Sequence, residues 1–304
     1  MNLGALGVLV VSHLSGGIML RFFKTIFEFC SMIKLPHSVL ALPFAFMGAI
    51  MAARGLPDGR TAFYLLVAMV GARSAAMAFN RLVDAPFDAM NPRTADRSLP
   101  RGRISRRATR VFIILSSLTF IGAAAQLNRV CFALSPLALG VILGYSLTKR
   151  FTWATHLILG LGLGLAPVGG WLAVKGELGL PVLVLSLAVL FWVAGFDILY
   201  ALQDEEFDSR AGLFSLPARV GPWWACRAAA GCHLVATLGF ALTGWLAALG
   251  RLYGGAVLLS ALILGVQHLL LFSREFLRLP PAFFTLNGLV AVGLGLASWL
   301  SLAF

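Results

Sequence analysis

Nine apolar runs, each close to twenty residues long and parted by short basic stretches, leave this chain few ways to fold. They lie at about 36–53, 62–80, 108–127, 130–147, 153–174, 180–202, 223–248, 253–272 and 282–303. A helix needs about 20 mostly apolar residues to cross the hydrocarbon core of a bilayer. In lipid the backbone must also satisfy its own hydrogen bonds, which a helix does. The chain is 60% hydrophobic and only 12% charged, with a mean hydropathy of +0.90. A soluble domain carries about a quarter charged residues, so lipid is the natural solvent here. The reading is an all-α integral membrane protein, a nine-transmembrane-helix bundle. Glycines within the runs, as in LGLGLAPVGG near 160–170, suit close helix approach where packing drives association.

The net charge of +12 would suggest nucleic acid in a soluble protein. Here the basic residues sit in the gaps between spans, so the charge is topological and no nucleic-acid partner is expected. Eighteen lysines and arginines fall on one side of the nine runs and five on the other (Arg54, Arg60, Arg129, Lys175 and Arg251), with Arg73 left inside a span. Because such residues favour the cytoplasmic side, the N-terminus is expected in the cytoplasm and the C-terminus outside. Residues 1–27 are read separately from a single membrane domain at 28–304. The first twenty are uncharged and lack a basic secretory n-region, leaving open an interfacial segment or an assigned start upstream of the true one. The four cysteines form no CxxC pair and the five histidines no HExxH pattern, so neither disulfides nor zinc are expected. The histidines read as structural, His37 excepted.

Most of the twelve acidic residues fall in two places. The first is Asn80-Arg-Leu-Val-Asp84-Ala-Pro-Phe-Asp88, at the end of the second run. The second runs from Asp197 through Tyr200 and Asp204 to Asp208, at the end of the sixth. Both lie at the expected cytoplasmic ends. Residues four apart share a helix face, so Asn80 and Asp84 can point into one cavity, as can Tyr200 and Asp204. Pro86 is expected to stop or kink the first helix, with Asp88 hanging from the loop beyond it. Stacked carboxylates repel one another unless something cationic lies between them. Magnesium prefers hard oxygens, taking one or two carboxylates together with phosphates and water. Two facing columns could hold magnesium ions and a diphosphate.

The loop after the first cluster, Asn91-Pro-Arg93-Thr-Ala-Asp-Arg97, offers guanidiniums that could grip phosphate oxygens. Tyr145, Lys149 and Arg150, at the end of the fourth run, could do the same. Arg73 lies about two turns deeper than Asn80 on roughly its face. A charge within a span marks function or a paired acid; Asp197 or an anionic substrate group is the expected partner.

These residues resemble the UbiA superfamily of intramembrane prenyltransferases. The resemblance rests on NxxxDxxxD at Asn80, Asp84 and Asp88 with the following PRTADRSLPRG (residues 92–102). It rests also on DxxYxxxDxxxD at Asp197, Tyr200, Asp204 and Asp208, and on IKLPHSVLALPFAFMGA (residues 33–49). GLFSLPARVG (residues 212–221) is similar to the joint group of 4-hydroxybenzoate polyprenyltransferases and their relatives in the futalosine route to menaquinone. Where ubiquinone-type enzymes often carry a lysine after the second motif, this chain has Ser209-Arg210-Ala211, leaving Arg210 as the substitute cation.

The resemblance implies a central cavity roofed by cytoplasmic cap loops and open sideways to lipid. It implies magnesium on Asp84, Asp88, Asp204 and Asp208, with Asn80 adding a ligand or hydrogen bond. It implies transfer of a polyprenyl group from its diphosphate to an aromatic carboxylic acid, in quinone biosynthesis at the bacterial inner membrane. Arg73 would anchor the acid's carboxylate and Asp197 orient its phenol, with His37 and Tyr200 lining the aromatic pocket. The acceptor is expected to be 4-hydroxybenzoate or, as the alternative, a dihydroxynaphthoate. A transporter would also have many spans, but its charges belong near the midplane and these acids lie at one interface. The aspartate-rich signature of CDP-alcohol phosphotransferases is absent.

Overall fold

The computed structural model describes residues 28–33, 40–272 and 280–303. The elements, in chain order, are α1 (Leu42–Ala53), α2 (Gly59–Met90), α3 (Arg106–Leu127), α4 (Arg129–Thr148), α5 (Thr155–Lys175) and α6 (Leu180–Ala201). A 3₁₀ turn (Leu202–Asp204) then leads to α7 (Glu205–Ala211), α8 (Leu216–Leu246), α9 (Gly250–Phe272) and α10 (Pro280–Ala303). Among the described residues, eight helices are long and apolar enough to cross a membrane. The chain is an integral membrane protein. The first expected run appears as α1, which has 12 residues and is about 18 Å long at 1.5 Å per residue. The stretch before it, with His37, lies outside the described residues.

Side-chain caps start the spans where the apolar runs begin. Asp58 accepts from the Thr61 amide at 3.0 Å, and Asn128 from that of Cys131 at 2.9 Å. Ser105 does the same at α3 and Ser215 at α8. Each satisfies an orphan donor of a helix's first turn. The Thr61 hydrogen bonds hold the exposed Asp58 carboxyl below its usual pKa.

The packing core is α6, which lies against α5 on one side and α8 on the other. Trp192, Val182, Leu185 and Val193 on α6 are fully buried, with Phe44 of α1 and Phe240 of α8 stacked nearby. The short α1 closes the bundle by packing on α5 and α10. Its approach to α5 requires glycine: a Cβ at Gly170 would sit 1.8 Å from the Ala45 carbonyl oxygen, and one at Gly48 2.0 Å from that of Pro167. On the outside, Leu137, Leu258 and Leu269 are among many large apolar side chains left exposed. Such faces would be aggregation-prone in water, whereas lipid covers them.

Two local expectations are corrected. Pro86 does not end α2, which runs on to Met90 with Asp88 buried inside it. Proline removes a helical donor and crowds the preceding turn. Here Arg150, in the loop between α4 and α5, donates to the Val83 carbonyl at 2.7 Å, so that turn gains a donor from outside its own helix, and neighbours of this kind make a proline tolerable in a span. The second motif is not one continuous α-helix. A 3₁₀ turn intervenes at Leu202–Asp204, so Tyr200 and Asp204 meet through a shared partner and not by helical spacing.

Candidate active site

The loop ends on one side of the bundle are tied to one another. Phe214 donates its amide to the Lys149 carbonyl at 2.7 Å, and the Asn91 side chain donates to Asp204 at 3.0 Å. Below them opens a cavity of about 420 Å³, lined by residues of α2, α4, α5 and α6 and the connecting loops. Both acidic motifs reach it. Asp84, Asp88, Asp197, Asp204 and Asp208 all line the wall, and so do Arg73, Asn80, Arg93, Arg97, Tyr145, Lys149 and Tyr200. Of the residues picked out from sequence, His37 lies outside the described residues.

Asp84, Asp88 and Asp204 each have a basic partner. Lys149 Nζ donates to Asp84 Oδ2 at 2.8 Å, and Asn80 Nδ2 donates to the same oxygen at 3.0 Å. Arg97 donates to Asp88 Oδ1 at 2.6 Å. Arg93 forks onto Asp204, its Nε donating to Oδ1 at 2.9 Å and its Nη2 to Oδ2, and its Nη1 donates to the Tyr200 hydroxyl at 3.0 Å. Partial burial alone would lower the Arg93 pKa, but the hydrogen bonds to Asp204 and Tyr200 outweigh it and raise the value above its usual one. Asp208 lies at the end of the same cavity, and its carbonyl accepts from Leu213 at 2.9 Å.

Two carboxylate oxygens, Asp84 Oδ1 and Asp88 Oδ2, are buried without a hydrogen-bond partner. Among the described residues, Asp84 Oδ1 has only the Arg150 guanidinium at 3.9 Å for compensation; buried anionic oxygens without hydrogen bonds are costly, and both belong to residues facing the cavity. Hard oxygens left free in this way fit a divalent cation such as magnesium. Among the described residues, no three His, Cys, Asp or Glu side chains converge as the ligand set of one ion.

Deeper in the cavity the expected pairing of Arg73 with Asp197 is not formed. Arg73 makes no ion pair among the described residues, and its Nε is buried without a partner. Asp197 is engaged instead by His156 of α5, whose Nδ1 lies 2.7 Å from Oδ2. Arg210 is corrected too: it pairs with Glu206 one turn away on an exposed face of α7 and does not line the cavity.

His156 and Arg81 were missed as site residues. Arg81 lies beside Asn80 and had counted only toward orientation, yet it is buried against the cavity. The available signal for His156 was a polar residue in the first turn of an apolar run, at the end of the bundle that carries both acid clusters.

The UbiA prenyltransferase family matches residues 41–300. A 4-hydroxybenzoate octaprenyltransferase from Yersinia enterocolitica serotype O:8 / biotype 1B is 28% identical over 251 residues, covering 81% of this chain and 86% of that protein. The apo structure of a UbiA homolog from Aeropyrum pernix K1 superposes with a TM-score of 0.79 at 33% identity, over 86% of this chain and 96% of that one. A UbiA homolog from Archaeoglobus fulgidus bound to GPP and Mg2+ shares the fold, with a TM-score of 0.70 at 19% identity, over 91% of this chain and 100% of that one.

Proposed function

This chain belongs to the UbiA prenyltransferase family, and on that footing we propose that it transfers a polyprenyl group from polyprenyl diphosphate to 4-hydroxybenzoate with magnesium as cofactor. The supporting observation is a polar rim over an apolar floor. The two acid-bearing helix ends share one cavity with three phosphate-reaching cations, above a deeper wall that carries the ion-pair-free Arg73.

Arg93, Arg97 and Lys149 exchange their carboxylate partners for diphosphate oxygens as the donor enters. Asp84, Asp88, Asp204 and Asp208, with Asn80 beside them, would hold magnesium, which would supply the charge that makes diphosphate a leaving group. The C1–O bond breaks with its electron pair leaving on the diphosphate, and the allylic cation lies against Met69, Phe120, Ile142 and Leu165, where water is excluded. Arg73 holds the acceptor's carboxylate and Asp197 its phenolic hydroxyl, which places the ring carbon next to that hydroxyl toward C1. A C–C bond forms there, and Asp197 or the departing diphosphate takes up the ring proton. Tyr145 and Tyr200 steady the phosphates and the aromatic ring.

The same proposal covers topology. α1 counts as a ninth span; the loops that roof the cavity face the cytoplasm, and the protein lies in the bacterial inner membrane. The test is an acceptor panel with purified protein, magnesium and one prenyl diphosphate. Preferred turnover of 4-hydroxybenzoate supports the reading. Preference for a dihydroxynaphthoate would move it to menaquinone biosynthesis, and no transfer to any hydroxy-aromatic acid would overturn it.

A further inference from the structure

The His156–Asp197 contact has a third member that fixes its chemistry. The amide of Leu216, the first residue of α8, donates to His156 Nε2 at 3.2 Å. As a first-turn amide it has no acceptor within its own helix. A nitrogen that accepts this hydrogen bond carries no proton. The imidazole is therefore neutral and protonated at Nδ1, so it donates to Asp197 Oδ2. His156 is 4% exposed, whereas the Asp197 side chain keeps 25% of its surface open, and it faces the cavity.

The loop that supplies Leu216 also carries the other half of the site. Leu213 donates to the Asp208 carbonyl and Phe214 to that of Lys149. One short segment thus aligns the phosphate end and, through His156, the carboxylate of Asp197.

We propose that His156 is a positioning residue for the acceptor: it holds Asp197 as an anionic hydrogen-bond acceptor for the phenolic hydroxyl, with the Leu216 amide selecting the tautomer that does so. This rests on the acceptor pocket described above. Its consequence is specific. The loss of His156 disturbs recognition of the hydroxyl and not of the carboxylate, which belongs to Arg73.

The test uses the full chain, purified as wild type, His156→Phe and His156→Asn. Phenylalanine fills the ring's space without a polar atom; asparagine can restore the donor toward Asp197. The readings are kcat and KM for 4-hydroxybenzoate, KM for the prenyl diphosphate, and the inhibition constant of benzoate, which has the carboxylate but no hydroxyl. For His156→Phe, kcat/KM for 4-hydroxybenzoate is expected to fall about 10- to 100-fold, the range of a lost hydrogen bond to a charged group. The donor KM and the benzoate constant should stay within about twofold, and His156→Asn should recover part of the loss.

Equal weakening of 4-hydroxybenzoate and benzoate would reveal general distortion and overturn the assignment, as would unchanged kinetics in His156→Phe. If the phenylalanine variant does not fold, His156→Leu takes its place as the donor-free variant: selective loss of 4-hydroxybenzoate use supports the donor role, and equal loss of both ligands or no loss refutes it. Wild type inactive toward every hydroxy-aromatic acid would overturn the proposed function and this role with it; an active wild type with indifferent variants overturns this role alone.

Discussion

Replacing Arg73 by alanine separates a binding role from a structural one. The guanidinium lines the deep wall of the cavity, forms no ion pair among the described residues, and has its Nε buried without a partner. A buried charge without a counter-ion costs several kcal/mol, so its removal should leave the unfolding midpoint unchanged or raise it. Binding should suffer instead. A hydrogen bond to a charged group contributes about 1.5–3 kcal/mol, and each 1.4 kcal/mol is a factor of ten. The KM for the aromatic acid should therefore rise roughly 10- to 150-fold, while that for the prenyl diphosphate stays nearly constant. Steady-state assays varying each substrate in turn, beside a thermal melt in the same detergent, give both answers. A larger effect on the donor than on the acceptor would refute the carboxylate anchor. A clearly lower midpoint would show that Arg73 stabilises the bundle through a partner after all.

Asp84→Ala should abolish turnover with a melt close to wild type, because Lys149 is partly exposed and can turn to solvent once its partner is gone; full activity would remove Asp84 from the metal site. Chelating divalent cations should stop transfer and weaken donor binding, with both restored by magnesium; equal donor affinity in chelator and in magnesium would refute the role given to the carboxylates. Glu28 accepts from Ser98 at 2.6 Å, and Ser98 belongs to the loop that carries Arg93 and Arg97. Glu28→Ala should therefore raise the donor KM about three- to tenfold without changing that of the acceptor, as read by the same two titrations. Gly170→Ala should lower the melting midpoint by several degrees, since overpacking costs about 1–3 kcal/mol. Gly169→Ala, where a Cβ meets nothing within 4 Å, should not.

Much of the scaffold could be read from the chain because spans are written locally. The run expected at 180–202 is α6 at Leu180–Ala201, and that at 130–147 is α4 at Arg129–Thr148. The readings that failed were those in which a distant residue decides the outcome. Pro86 looked like a helix end, yet Arg150 of the α4–α5 loop supports the turn before it. Arg73 and Asp197 looked like partners by depth, yet His156 reaches the acid from α5. Arg210 looked like a phosphate ligand by its place after the motif, yet helical spacing delivers it to Glu206 on the outside. The acids and bases themselves stand out in a chain with so few charges. Their pairing does not, because Asp84 and Lys149 lie 65 residues apart and Arg93 and Asp204 lie 111 apart.

That pairing bears on why the proposed chemistry calls for divalent cations as well as arginines. Five carboxylates and five cationic side chains line the cavity: Asp84, Asp88, Asp197, Asp204 and Asp208 against Arg73, Arg81, Arg93, Arg97 and Lys149. If the basic residues alone neutralised an incoming diphosphate, they would have to abandon Asp84, Asp88 and Asp204. Three carboxylates would then be left beside the anion in a poorly solvated space, where like charges repel strongly. Divalent cations entering with the donor would relieve both sides together, by releasing the arginines to the phosphates and giving the carboxylates, including the oxygens of Asp84 and Asp88 that have no hydrogen bond, a counter-charge. The acids and bases of the rim are thus not redundant. On the proposed mechanism, each set would become available for its own part of the ligand only when the other is engaged.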